Sequence, residues 1–273
     1  MKKLVDVTGG RIHAVSDGKG PPIVLLHAAI ADMRSWDAMV PGLVRAGFGV
    51  IRYDYRGFGA TTTDDVAFSH RTDLVAVLGA FGIDRAALVG NSRGGEIAFD
   101  AAIEFPKRVV AVVGVGASLG GYLAKPTPQE KALFTEWARL STMPGLDREK
   151  VVELGLRIWV DGPGQDPHRV DDAIHKAVGD MFRPQLAPHV EGRPIPLHPP
   201  ATDRLKELRC PVLAVAGALD VSTILAAARR IDGGAPNARA VILPGVAHMI
   251  GMEAPDRLNK LIVDFLTPLR PWS

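Results

Sequence analysis

A serine hydroxyl attacks a carbonyl at neutral pH only when a base takes its proton and a carboxylate holds that base in the right tautomer. Ser92, His248 and Asp220 have the residue types and positions for these three tasks. Ser92 stands in Gly90-Asn91-Ser92-Arg93-Gly94, a G-x-S-x-G pattern after the apolar run Ala86-Ala87-Leu88-Val89. A strand turning sharply into a helix holds such a serine in a strained conformation with its oxygen exposed. The flanking glycines remove Cβ atoms that would clash in that turn. The helix N-terminus beneath it supplies free N–H groups and positive potential.

The pattern occurs twice. Gly116-Ala117-Ser118-Leu119-Gly120 also matches, and it too follows a strand-like run. Ser92 is followed by the helix-forming stretch Glu96 to Ile103, whereas Ser118 is followed by Gly120-Gly121, Pro126 and Pro128, which cannot continue a helix. Ser92 is therefore the expected nucleophile. Read from Gly114, the second stretch also mimics a dinucleotide-binding loop, and it fails for want of the same helix. A glycine-rich exit from a sheet is expected there.

Of eight histidines, His248 lies in the loop Leu243-Pro244-Gly245-Val246-Ala247-His248-Met249, between the last strand-like run and the last helical pattern. That puts it at the same sheet edge as Ser92. His168, His175, His189 and His198 fall in a helical insert, where surface or lid roles are expected. Asp220 ends Ala214-Val215-Ala216-Gly217-Ala218-Leu219-Asp220, after the strand before the last, within reach of a loop histidine on the neighbouring strand. The other use of Asp220, or of Ser222, is a helix N-cap. Asp232 follows a helix and so belongs to the opposite edge. No H-E-x-x-H pattern or Cys/His cluster is present, so neither a metal nor another cofactor is expected.

The elements that must position these groups alternate between strand and helix. Ile23 to Leu26, Gly49 to Tyr53, Ala86 to Val89 and Val109 to Val115 read as strands, with helices over Arg34–Ala46, Arg71–Phe81 and from Ser92 to Phe105. Unbroken Val/Ile/Leu runs indicate strands covered on both faces, as in a parallel sheet. Leu4–Val7 and Arg11–Val15 flank Thr8-Gly9-Gly10 as an edge hairpin. Alternation stops at about Ser118. Helices are expected over Gln129–Leu140, Asp147–Trp159 and Arg169–Phe182, followed by a proline-rich stretch to Pro200. It resumes with the strand Pro211–Val215, the helix Thr223–Ile231, the strand Ala238–Leu243 and the helix Pro255–Leu266. The expected division is a core of residues 1–117 and 201–273 with a helical cap over 118–200.

The bulk properties suit this. The chain has 273 residues, 47% of them hydrophobic, enough for one large α/β domain or two small ones. Its 32 basic and 30 acidic residues are interspersed, which gives no electrostatic footing for a nucleic-acid or membrane-surface partner. A single cysteine, Cys210, excludes an intrachain disulfide and suits a reducing compartment. The N-terminal Met1-Lys2-Lys3 has no apolar segment behind it, and no run approaches membrane-spanning length, so a cytoplasmic protein is expected.

Gly90 to Gly95, Asp220 and His248, in that order, resemble the α/β-hydrolase fold family. Leu25-Leu26-His27-Ala28-Ala29 is similar to its His-Gly loop, and Tyr53-Asp54-Tyr55-Arg56-Gly57-Phe58-Gly59 to its D-x-R-G-x-G segment. The resemblance implies a mostly parallel, eight-stranded-type sheet flanked by helices, with a variable cap. It implies an oxyanion hole from the backbone N–H groups of Arg93 and Ala29, although Ala28 stands where the family has glycine. His27, Asp54 and Arg56 then hold loops rather than react. The implied chemistry is hydrolysis of a small-molecule carboxylic ester or lactone through an acyl-Ser92 intermediate. Alternatives are C–C bond hydrolysis, aminopeptidase or cofactor-free peroxidase chemistry, or a catalytically silent binding protein. Dehalogenases and epoxide hydrolases of this fold use an aspartate nucleophile, so Ser92 points away from both. Phe134, Trp137, Met143, Trp159, Met181 and Phe182 are expected either to line an acyl pocket or to form the core of the lid. The Arg93 side chain either steers an acidic substrate or pairs with Glu96 at i+3.

Overall fold

The computed structural model describes residues 1–143, 145–167 and 169–272, so His168 lies outside the described residues. The first half of the chain forms β1 (Lys2–Val7), β2 (Gly10–Asp17), β3 (Pro22–Leu26), β4 (Gly49–Tyr53), β5 (Thr62–Thr63) and β6 (Ala67–Phe68). β7 (Ala86–Asn91), β8 (Val109–Val115), β9 (Arg193–Pro194), β10 (Val212–Gly217) and β11 (Ala238–Leu243) follow. The main sheet runs β1-β2-β4-β3-β7-β8-β10-β11, with the short β5 beside β2, while β6 and β9 pair apart from it. β1 and β2 are antiparallel around a turn at Thr8 and Gly9, and β2 is antiparallel to β4. From β4 to β11 every neighbour is parallel. All C-terminal ends of those strands therefore open on one edge, which is where the chemistry-bearing loops emerge.

Every residue of β7, β8 and β10 is buried, which is why these segments read as unbroken apolar runs. Alternate side chains feed two cores. Val24, Leu88, Val112 and Val212 face α2 (His70–Ala80), α3 (Arg93–Glu104) and α7 (Ser222–Gly234). Ile23, Val89, Val113 and Leu213 face α1 (Val40–Arg45) and the C-terminal helix Pro255–Leu266. A helix expected over Arg34–Ala46 is instead a 3-10 turn, Met33–Trp36, followed by α1. Asp32 caps the first piece, and Pro41 in the first turn of α1 restarts the helix.

Between β8 and β10 the chain forms α4 (Pro128–Thr142), α5 (Arg148–Leu156) and α6 (Asp172–Phe182). Thr127 and Glu130 close a reciprocal capping box at the start of α4. The helix expected over Asp147–Trp159 ends at Leu156 and passes into a π-helical turn, Arg157–Asp161. α6 begins three residues later than expected because Asp171 caps it, accepting from the Ala173 N–H at 2.7 Å. A third apolar cluster joins this segment to the strand-end loops: Val151, Val152, Val160, Met181 and Phe182 pack with Ala28, Ile30, Ala31 and Met249. Among the described residues no helix is long and apolar enough to cross a membrane.

One half-buried carboxylate gives α3 a pH-dependent stability. Burial raises the Asp100 pKa to about 6, with Glu96 and Glu104 adding to the rise and Arg71, 3.8 Å away, opposing it. The folded state thus binds this proton more tightly than the unfolded chain, so stability falls as pH rises from about 4 through 6. Asp100→Asn is expected to stabilise the protein by on the order of 2 kcal/mol at pH 8 and by little at pH 4. Urea midpoints at the two pH values check this; equal shifts at both would contradict it.

Candidate active site

Ser92 has φ 53° and ψ −117°, and it is the one non-glycine residue with positive φ among the described residues. A side chain in that region is strained, and it persists only where the surroundings over-determine it. Here they do. The Ser92 N–H donates to the Val115 carbonyl at 2.9 Å, and its own carbonyl accepts from Gly95 and Glu96 at the start of α3. A Cβ on Gly90 would lie 2.1 Å from the Gly94 oxygen, and one on Gly94 2.2 Å from the Leu26 oxygen. The glycines of the pentapeptide are thus dictated by backbone contact. Ser118, in the second copy, precedes a loop that runs to Pro128 with no helix behind it.

His248 Nδ1 lies 2.8 Å from Asp220 Oδ2, and both residues are buried. The second carboxylate oxygen accepts from the Val221 N–H at 2.7 Å, so Asp220 is not the N-cap of α7. With Nδ1–H given to the carboxylate, the Nε2 lone pair is left as a proton acceptor. Asn91 Nδ2 donates to the carbonyls of Val115 and His248, at 2.9 and 3.3 Å, and ties the residue before Ser92 to the histidine loop. Asp232 accepts from the Ala240 N–H at the far edge.

Gly116, expected only as part of a glycine-rich exit from the sheet, belongs to this arrangement. Its φ is +53°, and a Cβ there would lie 3.0 Å from His248 Nδ1 and 3.3 Å from both Asn91 Nδ2 and Asp220 Oδ2. Gly116→Ala is expected to lower kcat on an activated ester about 100-fold by displacing the Asp–His pair. Steady-state kinetics check it, and a loss below threefold would show that the pair tolerates the methyl. The missed signal was the requirement for a glycine where a second strand passes beneath the pair.

The loop after β3 is held by His27. Burial lowers the pKa of this imidazole, keeping it neutral, and its Nδ1–H donates to the Ala28 carbonyl at 2.9 Å while Nε2 accepts from the Tyr55 N–H at 3.2 Å. The ring stacks on Tyr55, whose hydroxyl donates to the His27 carbonyl at 2.8 Å. Asp54 accepts from the Met33 and Ala60 N–H groups, and Arg56 makes a buried two-bond pair with Asp73. Ala28 is buried in the apolar cluster that it shares with Val151, Val160 and Met181 of the helical segment. Among the described residues, neither the Ala29 nor the Arg93 backbone N–H has a hydrogen-bond acceptor.

The Arg93 side chain is exposed and makes no ion pair among the described residues; of the two alternatives, the ion pair with Glu96 does not form. Its charge still acts at longer range. It opposes the burial that raises the Glu96 pKa, and it is the next cause after burial of the fall of His70 to about 3. A cation thus stands unpaired one residue from Ser92.

Trp159 lies against the His248 ring, with centroids 4.7 Å apart. Phe134 stacks on it at 5.9 Å and Trp137 meets it edge-on at 6.3 Å, while Trp137 also touches Phe182. Met181 and Phe182 are buried in the cluster against Ala28 and Met249. Met143 does not join them. It is 45% exposed just past the end of α4, in contact with Arg139. His175 pairs with Asp161 at 2.7 Å, and His189 bonds the Ala187 carbonyl. A cleft of about 710 Å³ lies between Asp54, Thr61 and Gly57 on one side and Met181, Gln185 and His189 on the other; neither Ser92 nor His248 lines it.

A parallel sheet flanked by helices, with a strained serine at a strand–helix turn and a buried Asp–His pair on the neighbouring strand ends, defines an α/β-fold hydrolase. The chain belongs to the alpha/beta hydrolase fold family, whose model matches residues 21–255. It is 26% identical to epoxide hydrolase B of Mycobacterium tuberculosis, over 99% of both chains. It is 28% identical to 2-hydroxy-6-oxo-6-phenylhexa-2,4-dienoate hydrolase of Burkholderia cepacia, over 94% of this chain and 91% of that one. The solved structure of Est816, described as an N-acyl homoserine lactone degrading enzyme, superposes with a TM-score of 0.75 at 26% identity, covering 96% of this chain and all of that one.

Proposed function

We propose that the protein hydrolyses a small carboxylic ester or lactone through an acyl-Ser92 intermediate. The observation that carries this is Ser92 held at positive φ at the start of α3, with the preceding Asn91 bonded to the carbonyl of a buried histidine whose Nδ1 is committed to Asp220. His248 Nε2 takes the Ser92 proton as the hydroxyl adds to the carbonyl, and returns it to the departing alkoxide. It then activates water to release the acid. Asp220 keeps the hydrogen on Nδ1 and stabilises the imidazolium. The Ala29 and Arg93 backbone N–H groups, which have no acceptor among the described residues, hold the developing oxyanion. Residues 118–200 act as a cap over this site, with Phe134, Trp137 and Trp159 closing its apolar side. Epoxide opening through an alkyl ester requires a carboxylate nucleophile, and Ser92 offers a hydroxyl, so that relative's reaction is not carried over.

A second reading, cleavage beside the 6-oxo carbon of an acidic dienoate, is favoured by the unpaired Arg93 charge next to Ser92 and by the Burkholderia relative. A panel of short aryl esters, γ-lactones and a 2-hydroxy-6-oxodienoate separates the two. The expected result is Ser92-dependent turnover of esters or lactones at least tenfold above that of the dienoate in kcat/KM, about 1.4 kcal/mol in activation free energy. Preference for the dienoate, abolished in Arg93→Ala, would install the second reading.

A further inference from the structure

Trp159 is the residue whose surroundings the proposed mechanism leaves unexplained. Its indole Nε1 is buried and has no hydrogen-bond partner among the described residues, while the ring it belongs to touches His248. Buried donors are nearly always paired, and one left unpaired beside reacting groups calls for a partner that arrives with the ligand. The other tryptophans differ. Trp137 Nε1 donates to the Val151 carbonyl and Trp272 Nε1 to that of Pro22, while the unpaired Trp36 Nε1 belongs to a ring packed in the apolar core against Met39 and Gly251, with no ring contact to His248 among the described residues.

The chain fixes this indole with unusual care. Trp159 sits at the middle of the π-helical turn Arg157–Asp161, a backbone form concentrated at functional sites. Arg169 binds the carbonyls of Val160 and Asp161, both at 2.9 Å, and reaches across to the Gly245 carbonyl at 3.1 Å and to the Glu253 carboxylate. Glu253 in turn accepts from the Ala247 N–H, next to His248, at 2.9 Å. On the other side Gly162, with φ +93°, presses on the Leu219 carbonyl beside Asp220, where a Cβ would come within 2.3 Å. His175 holds Asp161 as well. One turn of the helical segment is thereby clamped to both the acid loop and the histidine loop, with an indole N–H left free at the junction.

We propose that Trp159 is a specificity-determining substrate contact, whose indole N–H donates to a second carbonyl oxygen of the substrate, apart from the carbonyl that Ser92 attacks. The inference rests on the Ser92–His248–Asp220 reading and narrows its substrate class to esters or lactones that carry a further ketone or amide oxygen. A site built to bond such an oxygen discriminates against an analogue lacking it, because the buried donor is then left unpaired.

The probes are ethyl 4-oxopentanoate and its isostere ethyl 4-methylpentanoate, in which a methyl replaces the ketone oxygen. In Ser92→Ala protein with ¹⁵N-labelled tryptophan, the Trp159 Nε1–H resonance is identified by its loss in a Ser92→Ala, Trp159→Phe variant. The ketone ester is expected to move that resonance downfield, and the isostere to leave it in place. In protein with Ser92 intact, Trp159→Phe keeps the stacked ring and removes the donor. It is expected to lower kcat/KM for the ketone ester about tenfold further than for the isostere. A resonance unmoved by the ketone ester up to its solubility limit, or moved equally by both esters, overturns the proposal. The two readings fail separately: Ser92-dependent hydrolysis with an unmoved resonance removes only this contact, and a moved resonance without Ser92-dependent hydrolysis removes only the acyl-serine mechanism.

Discussion

Asp220→Asn is expected to lower kcat on an activated ester by about 10⁴-fold, with thermal stability little changed. The buried carboxylate accepts two hydrogen bonds, from His248 Nδ1 at 2.8 Å and from the Val221 N–H at 2.7 Å. An asparagine has one oxygen for these two donors. If it keeps Val221, its NH₂ group faces His248 Nδ1, which can then only accept. The imidazole hydrogen moves to Nε2, and the atom that must take the Ser92 proton becomes a donor. Side-chain volume is conserved, so the packing around Gly116 and Val221 is kept and the loss falls on chemistry. Steady-state kinetics with a melting curve on the same sample check this. A loss of less than about tenfold would mean that the tautomer of His248 does not control the rate.

Ser92→Ala is expected to cost on the order of 10⁵-fold in kcat or more, whereas Ser118→Ala leaves it within about threefold. The two serines share the same five-residue pattern and lie at the ends of adjacent strands, so the contrast isolates position. Ser92 is bonded through its backbone to Val115 and to the first turn of α3, and its neighbour Asn91 is bonded to the His248 carbonyl. Ser118 has no helix behind it and sits on the way out of the sheet. Comparable losses in both variants would remove the elbow geometry as the reason for choosing Ser92.

What could be read from the amino acids follows from what is local. Strands buried on both faces show as apolar runs, so β7, β8 and β10 were visible, and the loops after β10 and β11 placed Asp220 and His248 on one edge with Ser92. Prolines after Ser118 separated it from its look-alike for the same local reason. The π turn was not visible, because Asp147 to Trp159 has ordinary helical composition and the groups that contact the turn, Arg169, His175 and the Leu219 carbonyl, all lie outside that stretch. Gly116 read as a bland loop glycine, since its reason for lacking a Cβ is a histidine 132 positions later. Arg93 and Glu96 have the spacing of a helical ion pair, yet spacing permits a pair without compelling it, and no such pair forms. Met143 shows the same limit in reverse: its side chain suits an apolar pocket, yet it stands exposed at the C-cap of α4.

The most direct test of the acyl-serine mechanism is covalent capture of the nucleophile. Native protein treated with a fluorophosphonate should gain one adduct by intact mass, mapped by peptide sequencing to Ser92. The adduct should persist in Ser118→Ala and vanish in both Ser92→Ala and the denatured native chain. No adduct on folded protein, or an adduct on Ser118, would contradict the assignment of Ser92 as the attacking group.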